Sequence, residues 1–299
     1  MSESNKRNFI VHGSILAIAG ILVRIIGMLY RIPVVNIIGS EGNGIYGAAF
    51  NIYNIMLVLS SYGLPMAVSK LVSARFTKKR YKSAAKVLRC SLMVAVCTGG
   101  IAALLVFFGA SFIENVIYGG GLPGLAIPLR ILAPTIFLVA ILGVIRGFFQ
   151  GQSTMIPTAV SQILEQIVNA IVSIAAGYGM MKAFASSPDV AAYGAAGSTL
   201  GTAMGALTAV LFMGFLYAVY TPTFNRLKRK DRHTENQSTG QICKIIIYTM
   251  IPIILGQTFY QISALIDDVM FSNIMVGRDI TKSISMAVSY THLTLPTIA

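Results

Sequence analysis

Charge is scarce in this sequence. Of its 299 residues only 11% are Asp, Glu, Lys or Arg, while 55% belong to the hydrophobic set and the mean hydropathy is +0.74. A soluble domain carries about 25% charged residues, so a water-soluble globular enzyme is excluded. A disordered chain is excluded as well, because disorder needs low hydrophobicity. No Walker A glycine loop is present, which rules out an ATP-driven pump. Histidine is limited to His12, His233 and His292, and cysteine to Cys90, Cys97 and Cys243. Neither set has the spacing of a metal site or completes a nucleophilic triad. The cysteines read as small lipid- or core-facing residues. The first apolar run is too long for a signal-peptide core and lacks a small-residue cleavage pattern, so it stays as a helix.

What the sequence has in quantity is apolar length. A spanning helix needs about 20 mostly apolar residues, and seven such runs occur, at 9–29, 45–72, 87–108, 125–149, 158–181, 193–220 and 242–266. An eighth begins after Lys282. The fold class is an all-α polytopic membrane protein, with a six-helix lobe and the start of a second.

The 23 Lys and Arg against 10 Asp and Glu give a net charge of +13. Between long apolar runs such a surplus reports orientation in the membrane, and no nucleic-acid partner is expected. With the N-terminus cytoplasmic, the inner segments hold Lys6 and Arg7, the cations of 70–89, Arg146, and those of 226–244. The outer ends hold only Arg31, Arg130 and Lys182. The expected organisation is a first lobe over 1–220, a basic cytoplasmic linker over 221–241, and the start of a second lobe over 242–288. The tail 289–299, SYTHLTLPTIA, resembles translated sequencing-adapter read-through, so the natural chain is expected to stop near Val288. A genuine short tail is the alternative.

An ionisable side chain at mid-span costs about 2.5–3.5 kcal/mol on insertion scales, so it faces protein or a wet cavity. Gly20, Arg24, Gly27 and Arg31 share one face of the first span. Two readings are open for Arg24. It lines a cavity and grips an anion such as a diphosphate by bidentate bonds, or it pairs with a buried carboxylate. Arg31 is either a second such group or an interface anchor. In the fifth span Thr158, Gln162, Glu165, Gln166, Asn169 and Ser173 form one polar stripe. It either lines a hydrated lumen, with Glu165 as charge partner or proton site, or acts as interhelical hydrogen-bond glue.

The second span carries Gly47, Asn51, Asn54 and Ser61 on one side. It then breaks at Gly63-Leu64-Pro65, before Lys70, because proline removes a backbone donor. Gly194, Gly197, Gly201 and Gly205 of the sixth span read as close helix packing. The seventh span has Pro252, Gln257 and Gln261 and ends in Asp267-Asp268, which either bind a cation or are plain solvated residues. Gly119-Gly120-Gly121 reads as a flexible outer loop.

Four stretches together carry a resemblance. They are RIIGMLYRIPVVNIIGSEGNGIYGAAFNIYN (24–54), LSSYGLPMAVSKLVSAR (59–75), RGFFQGQSTMIPTAVSQILEQIV (146–168) and the seventh span through Asp267. The chain resembles the multidrug/oligosaccharidyl-lipid/polysaccharide exporter superfamily. Within it, the similarity is to polysaccharide biosynthesis proteins, the stage V sporulation protein B and MurJ-like flippases of Gram-positive bacteria, over nearly all of the chain to about residue 288. The resemblance implies a MATE/MurJ-like bundle of two lobes facing each other in a V around a cationic cavity. It implies outward movement of undecaprenyl diphosphate sugars by a multi-pass protein of the cytoplasmic membrane that works as a monomer. As given, the chain would be one whole lobe and the beginning of the other, and it is not expected to complete a transport cycle alone.

Residue by residue, Arg24 matches the first of the family's substrate arginines. Arg31 is offset by one residue from the Gram-negative spacing, and Glu41 falls near an acidic residue after helix 1. The helix 2 arginine of the Gram-negative relatives is missing, since that region here reads Met56-Leu57-Val58. Asp267 sits where some relatives have an aspartate implicated in sodium binding. The expected site is therefore Arg24, Arg31, Glu41, Lys70, Asn51, Asn54, Gln162, Glu165, Gln166 and Asn169, with Asp267 for a cation. Its partners would be a lipid-linked diphosphate oligosaccharide and membrane lipids. No cofactor is expected; a coupling cation (Na+ or H+) or the membrane potential would drive movement. Two other functions are weighed: a cation-coupled multidrug antiporter, which would need an acidic cavity, and a membrane glycosyltransferase, for which Asp267-Asp268 is the only carboxylate pair.

Overall fold

The computed structural model describes residues 3–232 and 237–277. The partial eighth span, the 289–299 tail and the side chains of Gln261 and Asp268 lie outside the described residues. Seven α-helices follow one another: α1 (Glu3–Ser60), α2 (Leu64–Thr77), α3 (Tyr81–Phe112), α4 (Ala126–Gly151), α5 (Ile156–Ala183), α6 (Val190–Lys230) and α7 (Thr239–Gly277). A π-helical turn, Ile113–Ile117, extends α3. No strand occurs among the described residues.

Among the described residues six helical segments are long and apolar enough to cross a membrane, the first of them Ser14–Thr77. That segment holds the first two expected spans. A straight helix of this length would run to roughly 95 Å, about three times the hydrocarbon thickness. The chain folds back at Gly39, whose φ of 70° and ψ of −178° leave the helical region and suit a residue without a Cβ. Tyr30 and Tyr46 would stand about 24 Å apart on a straight helix, yet they lie near enough for their hydroxyls to interact. The first arm therefore continues past Leu29. Pro33 does not end it, because Val34 and Ile38 bury the face that Tyr30 begins.

The expected break after the second span is present at Ser61–Gly63, and Pro65 sits in the first turn of α2. Leu64, Ala67, Val68 and Val72 of α2 are fully buried. They lie on a ladder of glycines in α4. A Cβ on Gly147 would come within 2.6 Å of Pro65 O, and one on Gly151 within 2.8 Å of Ser69 O. The α5–α6 pair is built the same way. A Cβ on Gly205 would meet Glu165 O at 2.6 Å, and one on Gly201 would meet Asn169 O at 2.6 Å. The glycine stripe of the sixth span is thus helix packing, as its spacing indicates.

Two buried clusters hold the two ends of the bundle. One gathers Val34, Ile38, Ile45, Tyr46, Tyr118 and Leu129 around the Gly39 bend. The other gathers Val68, Phe148, Met213, Phe224, Ile242 and Met250 where α2, α3, α4, α6 and α7 converge. The sixth helix does not stop at Tyr220 but runs on to Lys230, through what the polar composition marks as linker. Phe224, 1% exposed and stacked on Phe76, anchors this extension. Its last turn holds Lys228, Arg229 and Lys230, cations that suit the negative end of the helix dipole. Large side chains such as Phe108, Phe112, Ile171, Leu211 and Phe215 face outward, as a lipid-exposed surface requires.

Candidate functional site

The first arm of α1 packs along a narrow stripe of Ala19, Gly27, Tyr30, Val34 and Ile38, while Ile21, Leu22, Ile25, Met28 and Leu29 are exposed. Helical geometry puts Gly20, Arg24 and Arg31 on one flank of that stripe. Arg24 is exposed and Arg31 half-buried. A Cβ on Gly27 would lie 3.3 Å from Gln166 Nε2, so the stripe rests on the polar face of α5. Gly20 has open space beside it.

The polar stripe of α5 divides its partners among three neighbours. Toward α4, Arg146 Nη2 donates to Glu165 Oε2 at 2.7 Å and Arg146 Nε to Ser161 Oγ at 2.9 Å. This is the one ion pair among the described residues, with Arg146 14% and Glu165 26% exposed. Toward α6, Ser173 Oγ donates to Ser198 O at 2.8 Å, and Thr202 Oγ1 lies 3.4 Å from Asn169 Oδ1. Toward α1, Asn169 Nδ2 donates to the Tyr30 hydroxyl at 3.3 Å. Thr158, Asn169 and Ser173 are buried, whereas Gln162, Glu165 and Gln166 stay half-exposed. Among the described residues neither glutamine side chain makes a hydrogen bond, so both keep free amides, that of Gln166 beside Gly27.

The two arms of α1 close this seam. Tyr53 of the second arm is buried and near enough to Glu165 to feel its charge. Arg31 is likewise near Tyr46. Counting helix rise from the bend at Gly39, Arg24 and the half-buried Asn54 lie at about the same depth. Asn51 is half-buried one turn nearer the bend and is engaged in an interaction of its own. The contacts in the structure join Gly27 to Gln166, Tyr30 to Asn169 and Tyr53 to Glu165; helical geometry sets Arg24 and Arg31 on the flank of the first arm beside this seam, Asn51 and Asn54 on the second arm, and Gln162 one turn from Gln166. The structure does not bring Glu41, Lys70 or Asp267 there. Glu41 is exposed just past the bend, Lys70 is exposed on α2 at the opposite end, and Asp267 is exposed on α7. Among the described residues no three His, Cys, Asp or Glu side chains converge to hold a metal ion.

The residues that sequence reasoning missed are the ones that anchor the seam. Arg146 reads as a charge at the inner end of a span, but it is the counter-ion of Glu165. A usable signal was present: α4 and α5 are joined by a short turn, and Arg146 near the end of α4 faces the only acid of α5, Glu165. Tyr30, Tyr46 and Tyr53 gave no such signal, because tyrosine is ordinary in an apolar run.

The profile of the family described as polysaccharide biosynthesis protein matches residues 10–281. Over 176 residues the chain is 34% identical to the lipid II flippase MurJ of Bacillus subtilis (strain 168), covering 57% of this chain and 32% of that protein. Over 210 residues it is 30% identical to stage V sporulation protein B of the same organism, covering 70% of this chain and 39% of that protein. The chain therefore spans less than half the length of these relatives. Its structure matches that of MATE in the straight conformation with a TM-score of 0.68 at 17% identity, over 96% of this chain and 65% of that one. The likeness establishes a MATE-like helical bundle, and the six apolar helices together with the membrane-protein relatives make the chain a multi-pass membrane protein.

Proposed function

We propose, on the premise that this chain belongs to the polysaccharide biosynthesis protein family, that it serves to move lipid-linked cell-wall or polysaccharide precursors across the cytoplasmic membrane. The cargo class is the undecaprenyl diphosphate sugar. One observation carries the reading. Arg24 projects from a membrane-spanning helix with no carboxylate partner among the described residues, and Glu165, the acid of the α5 stripe, is held by Arg146. An uncompensated guanidinium at that depth is costly unless an anion meets it, and a diphosphate offers the bidentate acceptor that arginine favours.

In this reading the diphosphate meets Arg24, with Arg31 following one side of the seam toward the Gly39 bend. The sugar lies against the free amides of Gln162 and Gln166 and against Asn51 and Asn54. The prenyl tail stays in lipid along the apolar exposed face of the first arm. Lys70 and Glu41, at the two ends, act on cargo as it enters or leaves. The lobe over 1–220 rocks against its partner lobe, which begins after the 221–241 linker, in alternating access. The N-terminus is cytoplasmic, from the Lys/Arg bias, and the protein works as a monomer. A coupling cation, with Asp267 as a ligand, or the membrane potential drives the cycle; each charge crossing the field contributes about 2.3 kcal/mol per 100 mV. The antiporter reading needs a free acid in the cavity. Within the seam only Glu165 is acidic, and it is neutralised by its pair. The named relatives are a flippase and a sporulation protein, which favours transport over sugar transfer.

The test is complementation by the complete gene product in a strain depleted of its lipid-linked-precursor flippase. Arg24→Ala is expected to abolish growth at unchanged protein level. Full growth of that variant would reject the role.

A further inference from the structure

At the end of the bundle away from Gly39, a cavity of about 510 Å³ opens between α3, α6 and α7. Its cationic lining is Lys82, Lys86 and Arg89 of α3 and Lys228 of α6; Cys90 and Met93 continue the α3 wall, and Thr239 of α7 completes it. Residues 82, 86, 89 and 93 fall on one helical face. No carboxylate of the described residues lines the cavity. Asp231, at the C-terminal end of α6, is buried and accepts the backbone N–H of Lys82 at 2.8 Å. The Lys228 ammonium sits 5.2 Å above the Phe224 ring, and Lys86 donates to the Gln237 carbonyl.

Three physical terms oppose this arrangement if the cavity is vacant. Like charges at i, i+4 and i, i+3 repel. Cations in the first turns of α3 face the positive end of its dipole, and the first turn of that helix holds no acid. The fourth cation adds its repulsion from across the cavity. One ligand class relieves all three: an anion at the helix N-terminus. The lower wall indicates what the anion is attached to. Met93 is 60% exposed and Val96 46% exposed, so the α3 face below the cations turns apolar and outward. A charged top over an apolar track fits an amphiphile lying in one leaflet.

We propose that this cavity seats the phosphate of an anionic glycerophospholipid, with an acyl chain along Met93 and Val96. The lipid would bridge α3 and α6 of the first lobe to α7. The inference needs only that the bundle spans a membrane, and it does not depend on the cargo or on Arg24.

The test uses the complete gene product in neutral detergent, with phosphatidylglycerol, phosphatidylcholine or inorganic phosphate added. Lipid retention is read by native mass spectrometry and stability by thermal shift. Phosphatidylglycerol should be retained and should raise Tm, whereas phosphatidylcholine and inorganic phosphate should do neither. In K82Q/K86Q/R89Q, retention should weaken by about fivefold for each charge removed. Arg24→Ala should retain the lipid as the wild type does, which separates this site from the cargo seam. A photoreactive phosphatidylglycerol on the unmodified protein should cross-link within 82–97, so the outcome stands even if the triple variant misfolds. A Tm rise with inorganic phosphate alone would overturn the lipid in favour of a soluble anion. Undiminished retention in a folded triple variant, or cross-links confined to other helices, would overturn the site.

Discussion

Two arginines inside membrane-spanning helices meet opposite fates in this lobe. Arg146 is 14% exposed and gives its guanidinium to Glu165 and Ser161. Arg24 is exposed on the flank of the first arm and has no carboxylate partner among the described residues. Taking a charge out of water is costly in either place. Arg146 recovers that cost inside the protein, so it is fixed and structural. Arg24 does not, and in the proposed function its charge is met by the cargo. The difference is set by helix pairing, since the α4–α5 hairpin delivers a carboxylate to one arginine and withholds it from the other.

The largest effects should come from truncating each arginine, and the two losses should be of different kinds. Arg24→Ala should remove transport while leaving Tm and abundance as in the wild type. Arg24→Lys should restore it only in part, because an ammonium cannot make the bidentate contact. Arg146→Ala should instead lower stability by about 1–3 kcal/mol, the cost of leaving a half-buried carboxylate without its donor. The double change R146Q/E165Q should recover most of that loss, since a neutral pair of similar shape leaves no stranded charge. Thermal shift and complementation measured on the same four proteins separate the two kinds. If Arg24→Ala unfolds the protein and Arg146→Ala spares it, the comparison is inverted.

Part of this contrast was legible in the sequence. The apolar runs gave the spans, Pro65 gave the break before α2, and the offsets of Arg24 and Arg31 gave their shared face. The polar stripe on α5 was legible as a stripe, but periodicity cannot say which neighbour each side chain meets. Asn169 and Ser173 turned to α6 and Glu165 to α4, and only Gln162 and Gln166 kept free amides. The ends of elements were least legible. Pro33 and Pro222 look like helix stops, yet Val34, Ile38 and Phe224 bury enough surface to carry α1 and α6 past them. Gly143, Gly147 and Gly151 pass in sequence as small residues of an apolar run. Their role appears only when α2 is laid on them.

A sharper version of the comparison turns Arg24 into a second Arg146. Gly20 lies four residues before Arg24 on the same face, with nothing within 4 Å of its Cβ position. Gly20→Glu therefore places a carboxylate within i, i+4 reach of the guanidinium without steric cost. Transport should fall by about two- to tenfold, as a helical ion pair competes with the cargo for the same donors. Gly20→Gln fills the same space without charge and should leave transport nearly unchanged. Equal losses in both variants would assign the effect to bulk rather than to charge.

The smallest effect concerns the contact that joins the seam's first arm to α5. Tyr30→Phe removes the hydroxyl that accepts Asn169 Nδ2 at 3.3 Å and that lies near Tyr46 across the Gly39 bend. The Asn169 bond is long, and Asn169 Oδ1 keeps its partners Ser173 and Thr202, so the expected loss is about 0.5–1 kcal/mol in stability. The consequence for Arg24 is more telling than the size. Tyr30 is the packed neighbour that fixes the rotation of the first arm, and that rotation sets the flank on which Arg24 stands. If the arm is held mainly by this polar contact, Tyr30→Phe will impair complementation beyond its small cost in Tm. If the apolar stripe of Ala19, Val34 and Ile38 suffices, complementation will follow stability alone, and Arg24 is positioned by packing rather than by the hydroxyl.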